Sequence, residues 1–123
     1  MKQLLSILCL LILVSCSPTP EIQSDQLVER QGITYEVNSQ TPFTGGFVGY
    51  HENGQLKGKG NYKDGKLNGL WEVFSENGQL KFRGNYKDGK EEGLQEDFFY
   101  NGQLQEKRNI ENGELVLHQT FDQ

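Results

Sequence analysis

Few residues in this 123-residue chain are of the types that carry catalysis or bind metals. The two histidines, His51 and His118, lie far apart in the sequence, and neither has a partner at the spacing of a metal site. Asp64 and Asp88 each precede a glycine, a position where aspartate forms turns rather than transferring protons. The sequence has no G-x-S-x-G nucleophile motif and no glycine-rich phosphate-binding motif. We therefore expect a protein that is not an enzyme and that uses no cofactor, metal or small-molecule substrate.

The residue best placed for covalent chemistry is Cys16. The chain begins MKQLLSILCLLILVSC, in which an apolar run at 4–14 follows a lysine. Such a run is short for a membrane span and suits the core of a secretory signal. The residues LVSC at 13–16 resemble the lipobox of bacterial lipoproteins, in which the signal peptidase cuts before the cysteine and the thiol carries diacylglycerol. An ordinary signal peptide with a chance cysteine is the alternative.

The lipobox divides the chain into three parts. Residues 1–15 are expected to be the lipoprotein signal peptide. Residues 16–31 hold the lipidated cysteine and, with two prolines and no clear period, suggest a flexible tether. Residues 32–123 contain the repeats described below. Cleavage removes Cys9 and leaves Cys16 as the sole cysteine, so neither a disulfide nor a cysteine-bound metal is expected.

The predicted location is a bacterial membrane, to which the lipid at Cys16 attaches the chain. Each buried methylene contributes about 0.8 kcal/mol to membrane binding, so two or three acyl chains make a lasting anchor. Ser17 follows the cysteine in place of the aspartate typical of inner-membrane retention. In a diderm host we therefore expect the outer membrane, with the protein facing the periplasm. The net charge of −5 argues against a nucleic-acid partner.

The rest of the chain is organised as a repeat of 24 residues. The sequence NGQL occurs at 53–56, 77–80 and 101–104, and NYKDGK occurs at 61–66 and 85–90. The three units lie at about 45–68, 69–92 and 93–116, each opens with a glycine, and partial units flank them. A fixed period of this kind is the signature of a repeat architecture.

The turn signals predict that the repeats are built from strands. An Asn-Gly or Asp-Gly pair begins at positions 53, 64, 77, 88, 101 and 112. These pairs favour hairpins because the turns require positive φ. Between them, polar residues alternate with small or apolar ones, as in Leu56 to Tyr62. The sequence therefore predicts an all-β fold, an elongated single-layer antiparallel meander of tandem 24-residue β-hairpin repeats. About eight strands are expected, beginning near Ile33 to Val37.

Two strand registers are compatible with the turns. A two-residue turn at 77–78 places Trp71 opposite Gly84. A three-residue turn with a bulge at the glycine instead places Phe74 opposite Leu80. We prefer the second register because it brings apolar groups together at the equivalent position of all three units.

Two sets of side chains are candidates for binding. The aromatic set is Phe47, Trp71 and Phe74, which either contact a partner or form the core of the sheet. The basic set is Lys57, Lys59, Lys81 and Arg83, which recur on one polar face and would form a basic stripe. The alternative for the basic set is a solvated face balanced by nearby glutamates, because cross-strand charge pairs are common and contribute little.

These features resemble the variant MORN repeat, of the YwqK-type antitoxin family. The segment GLWEVFSENGQLKFRGNYKDGKEEG at 69–93 has the family's glycine, its two aromatics before NGQL, and then Y-x-D-G-K. The resemblance covers about 33–121 and implies an elongated, twisted antiparallel sheet that makes protein or lipid contacts. Gln95 departs from the pattern, since an aromatic stands at the equivalent positions 47 and 71. Asp97, Glu106 and Arg108 also make the third unit more polar.

We therefore expect a cell-envelope lipoprotein that acts as a non-catalytic protein-interaction repeat scaffold. One alternative is a toxin-neutralising antitoxin or immunity protein of the YwqK type, whose partner is a toxin. Another is a binder of anionic lipid or cell-wall polymer through the basic stripe.

The variant Cys16→Ser tests the predicted anchor. Because the thiol is the site of attachment, the variant should remain uncleaved and should take up no labelled fatty acid, whereas the matched variant Cys9→Ser should be labelled like the natural chain. Fatty-acid labelling combined with membrane fractionation measures both properties. A Cys16→Ser chain that is still cleaved and still membrane-bound contradicts lipidation.

Overall fold

The computed structural model describes residues 21–123, so the predicted signal peptide and Cys16 lie outside the described residues. The described part consists of eleven strands and one short 3-10 turn at Ser24–Gln26, without an α-helix. The strands are β1 Ile22–Gln23, β2 Leu27–Arg30, β3 Ile33–Glu36, β4 Gly45–Tyr50, β5 Leu56–Lys63, β6 Lys66–Leu67, β7 Gly69–Phe74, β8 Leu80–Lys87, β9 Lys90–Phe98, β10 Leu104–Glu111 and β11 Glu114–Thr120.

Nine strands form one sheet, in the order β1-β4-β5-β7-β8-β9-β10-β11, with β6 paired to β5. From β4 to β11, neighbours along this path are successive along the chain and antiparallel, whereas β1 pairs with β4 in parallel. This arrangement confirms the predicted antiparallel sheet of tandem hairpins. Each 24-residue unit therefore adds two strands to the growing edge of the sheet.

The N-terminal part differs from the sequence-based expectation. Residues 33–36, expected to begin the meander, instead pair with 27–30 in a separate two-stranded sheet. The segment 22–30, expected to belong to a flexible tether, is folded into β1, the 3-10 turn and β2. The missed signal is the turn Gln31-Gly32, whose φ angles of 52° and 80° match those of the Asp-Gly turns although its first residue is glutamine.

Two kinds of turn alternate along the repeats. At 64–65, 88–89 and 112–113 both residues have positive φ, between 50° and 81°, and each turn joins its strands with two residues. At each NGQL sequence only the glycine has positive φ, and the loop has three residues, as in 52–54, where His51 N–H donates to Gln55 O at 2.8 Å. These are the geometries that hairpin loops of two and three residues favour.

The register combines both sequence-based alternatives. Phe74 lies opposite Leu80, as the preferred three-residue turn predicts, and Trp71 lies opposite Gly84. The two pairings coexist because a bulge at Lys81 shifts the register between them. The same shift recurs at the equivalent residues Lys57 and Gln105. The bulge is thus a feature of the repeat.

The large rings that pack together lie on one face of the sheet, which we call the glycine face, whereas the buried Val48 lies on the opposite face beside Lys59. The central row of the glycine face is Phe47, Gly60, Trp71, Gly84 and Gln95 on successive strands. The rings of Phe47 and Trp71 stack at 5.1 Å across Gly60, and Phe47 is only 6% exposed. A Cβ atom on Gly60 would lie 2.8 Å from Trp71 Cε3 and 3.2 Å from Phe47 Cε1. Glycine therefore leaves the space in which the two large rings meet.

Gln95 takes the place of the aromatic residue in the third unit. Its side chain is fully buried, and its Nε2 donates to Asn85 O at 2.7 Å. It covers Gly84 as Trp71 covers Gly60, and its Oε1 lies 2.0 Å from the position that a Cβ of Gly84 would take. The third unit therefore keeps the packing plan of the first two but replaces an aromatic ring with an amide.

Successive units are also joined at both rows of turns. In the NGQL row, Asn53 Nδ2 donates to Glu76 O at 2.9 Å, and Asn77 repeats the contact with Tyr100 O at 3.4 Å. In the other row, Gly89 N–H donates to Leu67 O at 2.9 Å. Each turn is therefore hydrogen-bonded to its neighbour, as expected for repeats that are stabilised by adjacent units.

The variant Gly60→Ala tests the packing of the glycine face. The added methyl group must displace Trp71 or Phe47, and overpacking of this kind costs about 1–3 kcal/mol of unfolding free energy. The matched variant is Gly46→Ala, because a Cβ there would meet its nearest neighbours at an ordinary 3.4 Å. We expect Gly46→Ala to change stability by less than about 0.5 kcal/mol. Urea unfolding measures both, and equal losses would contradict the packing described here.

Candidate functional site

The face opposite the glycine face carries alternating charges, and we call it the charged face. Its central row is Lys59, Glu72, Arg83, Glu96 and Lys107, each directly opposite the next on neighbouring strands. We call this row the charge ladder. Opposite charges therefore meet at every step across five strands.

Distances within the charge ladder show that the charges are paired. Arg83 binds Glu96 Oε1 through both Nη2, at 3.0 Å, and Nε, at 3.2 Å. Lys59 Nζ lies 3.9 Å from Glu72 Oε1. The predicted basic stripe is therefore interrupted by carboxylates wherever it passes through Lys59 or Arg83. Such exposed pairs contribute about 0–1 kcal/mol each to stability.

A groove of about 400 Å³ lies beside the charge ladder, towards the NGQL turns. Its walls include His51, Lys57, Phe74, Lys81, Phe98 and Tyr100. These side chains come from three successive units, so the groove exists only when the units stack. Openings of this size, with apolar walls and a few polar groups, are typical of binding sites.

The apolar part of the groove is aromatic. Phe74 and Phe98 lie two residues after Glu72 and Glu96, so they share the charged face and occupy equivalent positions in adjacent units. Both are half-buried, whereas Tyr100 at the rim is 70% exposed. The guanidinium of Arg83, which belongs to the charge ladder, lies 5.9 Å from the centre of the Phe98 ring.

The polar part of the groove contains the two bulge lysines. Lys57 and Lys81 are exposed, and neither forms an ion pair within residues 21–123. A bulge places an extra residue on one strand and re-aims its side chain, which is why these lysines leave the charge ladder that Lys59 joins. Glu76 also lines the groove, so its edge carries both signs of charge.

His51 connects the groove to the turn row. Its Nε2 lies 2.8 Å from Phe74 O, a distance at which a protonated ring nitrogen donates to the carbonyl. The histidine thereby fixes the backbone of the strand that carries Phe74. Its role in this structure is to position the groove wall.

The sequence-predicted residues fall into three places. Phe47 and Trp71 pack together in the core of the glycine face, and Lys59 and Arg83 belong to the charge ladder. Phe74, Lys57 and Lys81 meet in the groove. His51, Phe98 and Tyr100 were not predicted as site residues, although the 24-residue period places Phe98 in the position of Phe74.

A second polar cluster lies at the third unit. Arg108 is surrounded by Glu91 at 3.2 Å, Glu106 at 3.7 Å and Asp97 at 3.9 Å. Burial raises the pKa of Asp97, Arg108 opposes that rise, and the negative charges of Glu106 and Glu91 add to it. The adjacent carboxylates at 91–92 and 96–97 thus contribute to ion pairs or hydrogen bonds. No group of side chains within 21–123 is arranged to hold a metal ion.

Comparison with known proteins identifies the repeat. A family model described as the MORN repeat variant matches residues 45–64, 67–88 and 91–112. Comparison with curated proteins and with solved structures finds no match. Across the part of the chain that the structure describes, no helix is long and apolar enough to cross a membrane.

Proposed function

This chain belongs to the MORN repeat variant family, and we propose that it is a lipid-anchored envelope scaffold that binds a protein partner in the groove at Phe74. The family consists of binding repeats that are generally not enzymes. The observation that carries the proposal is the groove itself, in which two aromatic rings lie beside two lysines that have no ionic partner within 21–123. The groove suits an acidic side chain flanked by an apolar one.

The location of the lysines favours a defined protein segment over an extended polyanion. A polyanion such as a charged cell-wall polymer needs a continuous run of positive charge. On the charged face, each basic residue of the charge ladder lies directly opposite at least one glutamate. Lys57 and Lys81 are the two bases of the predicted stripe that stand outside this pairing, and they converge on one groove. A local contact with a few acidic groups fits this pattern best.

The proposed anchor places the sheet close to the membrane. Ile22 begins β1, which is paired with β4, and Cys16 stands six positions earlier in the sequence. Even a fully extended segment of that length spans at most about 20 Å. A lipid on Cys16 would thus hold the folded repeats near the headgroups rather than at the end of a long tether. The partner is then expected to be another envelope protein.

A toxin is one specific form of such a partner. The resemblance to the YwqK-type antitoxins favours this alternative, in which the groove would cover a toxin's functional surface. The partner would then inhibit growth when produced alone, and co-production of this chain would restore growth. A partner without toxicity leaves the scaffold proposal in place and excludes the antitoxin alternative.

Crosslinking in intact envelopes tests the groove. The chain is captured from cells that make the natural protein, the groove variant Lys57→Gln/Lys81→Gln, or the matched ladder variant Lys59→Gln/Arg83→Gln. Both variants lose two positive charges, but only the first removes them from the groove. We expect the groove variant to reduce capture of the partner about 10-fold or more, which corresponds to about 1.4 kcal/mol, and the ladder variant to retain capture.

Three results would contradict the groove proposal. Equal loss in both variants would indicate that general charge, as in binding to anionic lipid or polymer, drives the interaction. Unchanged capture by the groove variant, and by Phe74→Ala, would place the contact elsewhere. Capture of no protein by the natural chain would leave lipid or cell-wall polymer as the ligand. Circular dichroism of each variant confirms that the sheet is intact.

A further inference from the structure

The last strand of the main sheet is an open edge. All seven residues of β11 are exposed, and its outer side has no neighbouring strand within 21–123. Leu115, Val116, Leu117 and the following Phe121 are between 38% and 55% exposed. The opposite edge of the sheet is different, because β1 covers β4 there. Long, apolar open edges pair readily with other strands.

The hydrogen bonds of β11 show which backbone groups point outwards. Phe121 N–H donates to Gln105 O of β10 at 2.9 Å. Gln119 and Leu117 stand two and four residues before Phe121, so their backbone groups also point towards β10. Residues in such a pair alternate between bonding inwards and outwards. His118 and Thr120 therefore present their N–H and C=O groups to the open side.

Only the second half of β11 is regular. A register shift opposite Asn109 and Ile110 places a bulge at Val116, and bulges discourage pairing at an edge. From Leu117 to Phe121 the strand has no bulge, no proline and no lysine, which are the usual features that protect an edge. This five-residue segment is the part available for pairing.

We propose that this segment pairs with the same segment of a second copy of the chain, antiparallel and centred on Gln119. In this register Leu117 lies opposite Phe121 of the second copy, so an apolar pair forms at each end. His118 and Thr120 of the second copy exchange two backbone hydrogen bonds, and the symmetric pair exchanges two more. No charged residue faces another across the interface.

The two other symmetric registers of this segment, centred on His118 and on Thr120, are less favourable. Centring on His118 also satisfies the backbone groups, but it places the two imidazoles opposite each other. It also sets Leu117 against Gln119 and Phe121 against Leu115 of the second copy, with the bulge at Val116 between those positions. Centring on Thr120 sets Leu117 against Gln123 and Phe121 against Gln119. The apolar matching therefore selects Gln119 as the centre.

Because the long unpaired edge lies on one side of the sheet, the association stops at two copies. At the far side, β1 pairs with Phe47 and Val48 of β4 and is only two residues long, so within 21–123 β11 is the long unpaired edge of the sheet and its match is the same edge of another copy. An interface of this isologous kind forms a dimer with twofold symmetry and does not propagate. In an antiparallel pair of this kind, the charged faces of the two copies lie on the same side of the joined sheet. Both grooves are therefore on that side. Two grooves on one surface would increase binding to a multivalent partner.

Disulfide trapping tests the dimer. Residues facing each other in a non-hydrogen-bonded pair have Cβ atoms about 4.5–5.5 Å apart, close enough that a small movement allows a disulfide. The full chain carrying Gln119→Cys should therefore form a crosslinked dimer under mild oxidation. The natural chain is the control for crosslinks formed through Cys9 or Cys16. The variant Gln103→Cys, in an exposed turn, is the control for crosslinks formed by random collision. We expect at least 10-fold more dimer from Gln119→Cys than from either control.

A second substitution tests the backbone pairing. Thr120→Pro removes an outward N–H that β10 does not use, so the sheet should keep its circular dichroism spectrum while the Gln119→Cys crosslink falls about 10-fold. The proposal is overturned if Gln119→Cys stays monomeric, if it links mainly to a different protein, or if Thr120→Pro leaves the crosslink unchanged. These outcomes do not depend on what the groove binds.

Discussion

A single-layer sheet has no second layer to cover it, so its large side chains must be buried against the sheet itself. The structure meets this constraint by placing glycines opposite aromatic residues. Phe47 and Trp71 lie over Gly60, which leaves room for both rings, and Tyr62 packs 4.7 Å from Phe47. Burial of apolar surface is the main stabilising term in folding. The sheet can therefore bury its large rings only because glycines lie beside them in this row, and the stability of the fold depends on that arrangement.

This packing assigns different roles to the two faces. The glycine face uses Phe47 and Trp71 for packing, which is the core role that the sequence offered as the alternative to partner contact. On the charged face, the repeated bulge places Lys57 and Lys81 in the same groove as Phe74, and this is the surface to which the proposed function assigns recognition. The groove thus arises from the same bulge that adapts each hairpin to its three-residue turn. The alternation of side chains along each strand separates the packed aromatic residues from the charged groups and the groove.

The parts of the structure that follow local rules could be predicted from the sequence. Positive φ at the Asp-Gly and Asn-Gly turns and the pairing of Phe74 with Leu80 are set by neighbouring residues and by the period. Side-chain partners across strands could not be assigned, because they depend on where each bulge falls. That is why Lys59 and Arg83 were expected to act with Lys57 and Lys81, whereas Glu72 and Glu96 pair with them. The hairpin of β2 and β3 was missed because its turn begins with glutamine.

Amide hydrogen exchange on the folded chain tests directly whether the aromatic and glycine row holds the sheet together. Exchange reports local opening, which is rarest where burial is greatest. The account predicts that amides of β5 and β7, whose Gly60 and Trp71 belong to the aromatic and glycine row, exchange at least about 10-fold more slowly than those of β10, where Arg108 lies opposite Gln95 of β9. Equal protection in these strands, or slower exchange in β10, would show that backbone pairing alone stabilises the repeats and would contradict the central role given to the glycine face.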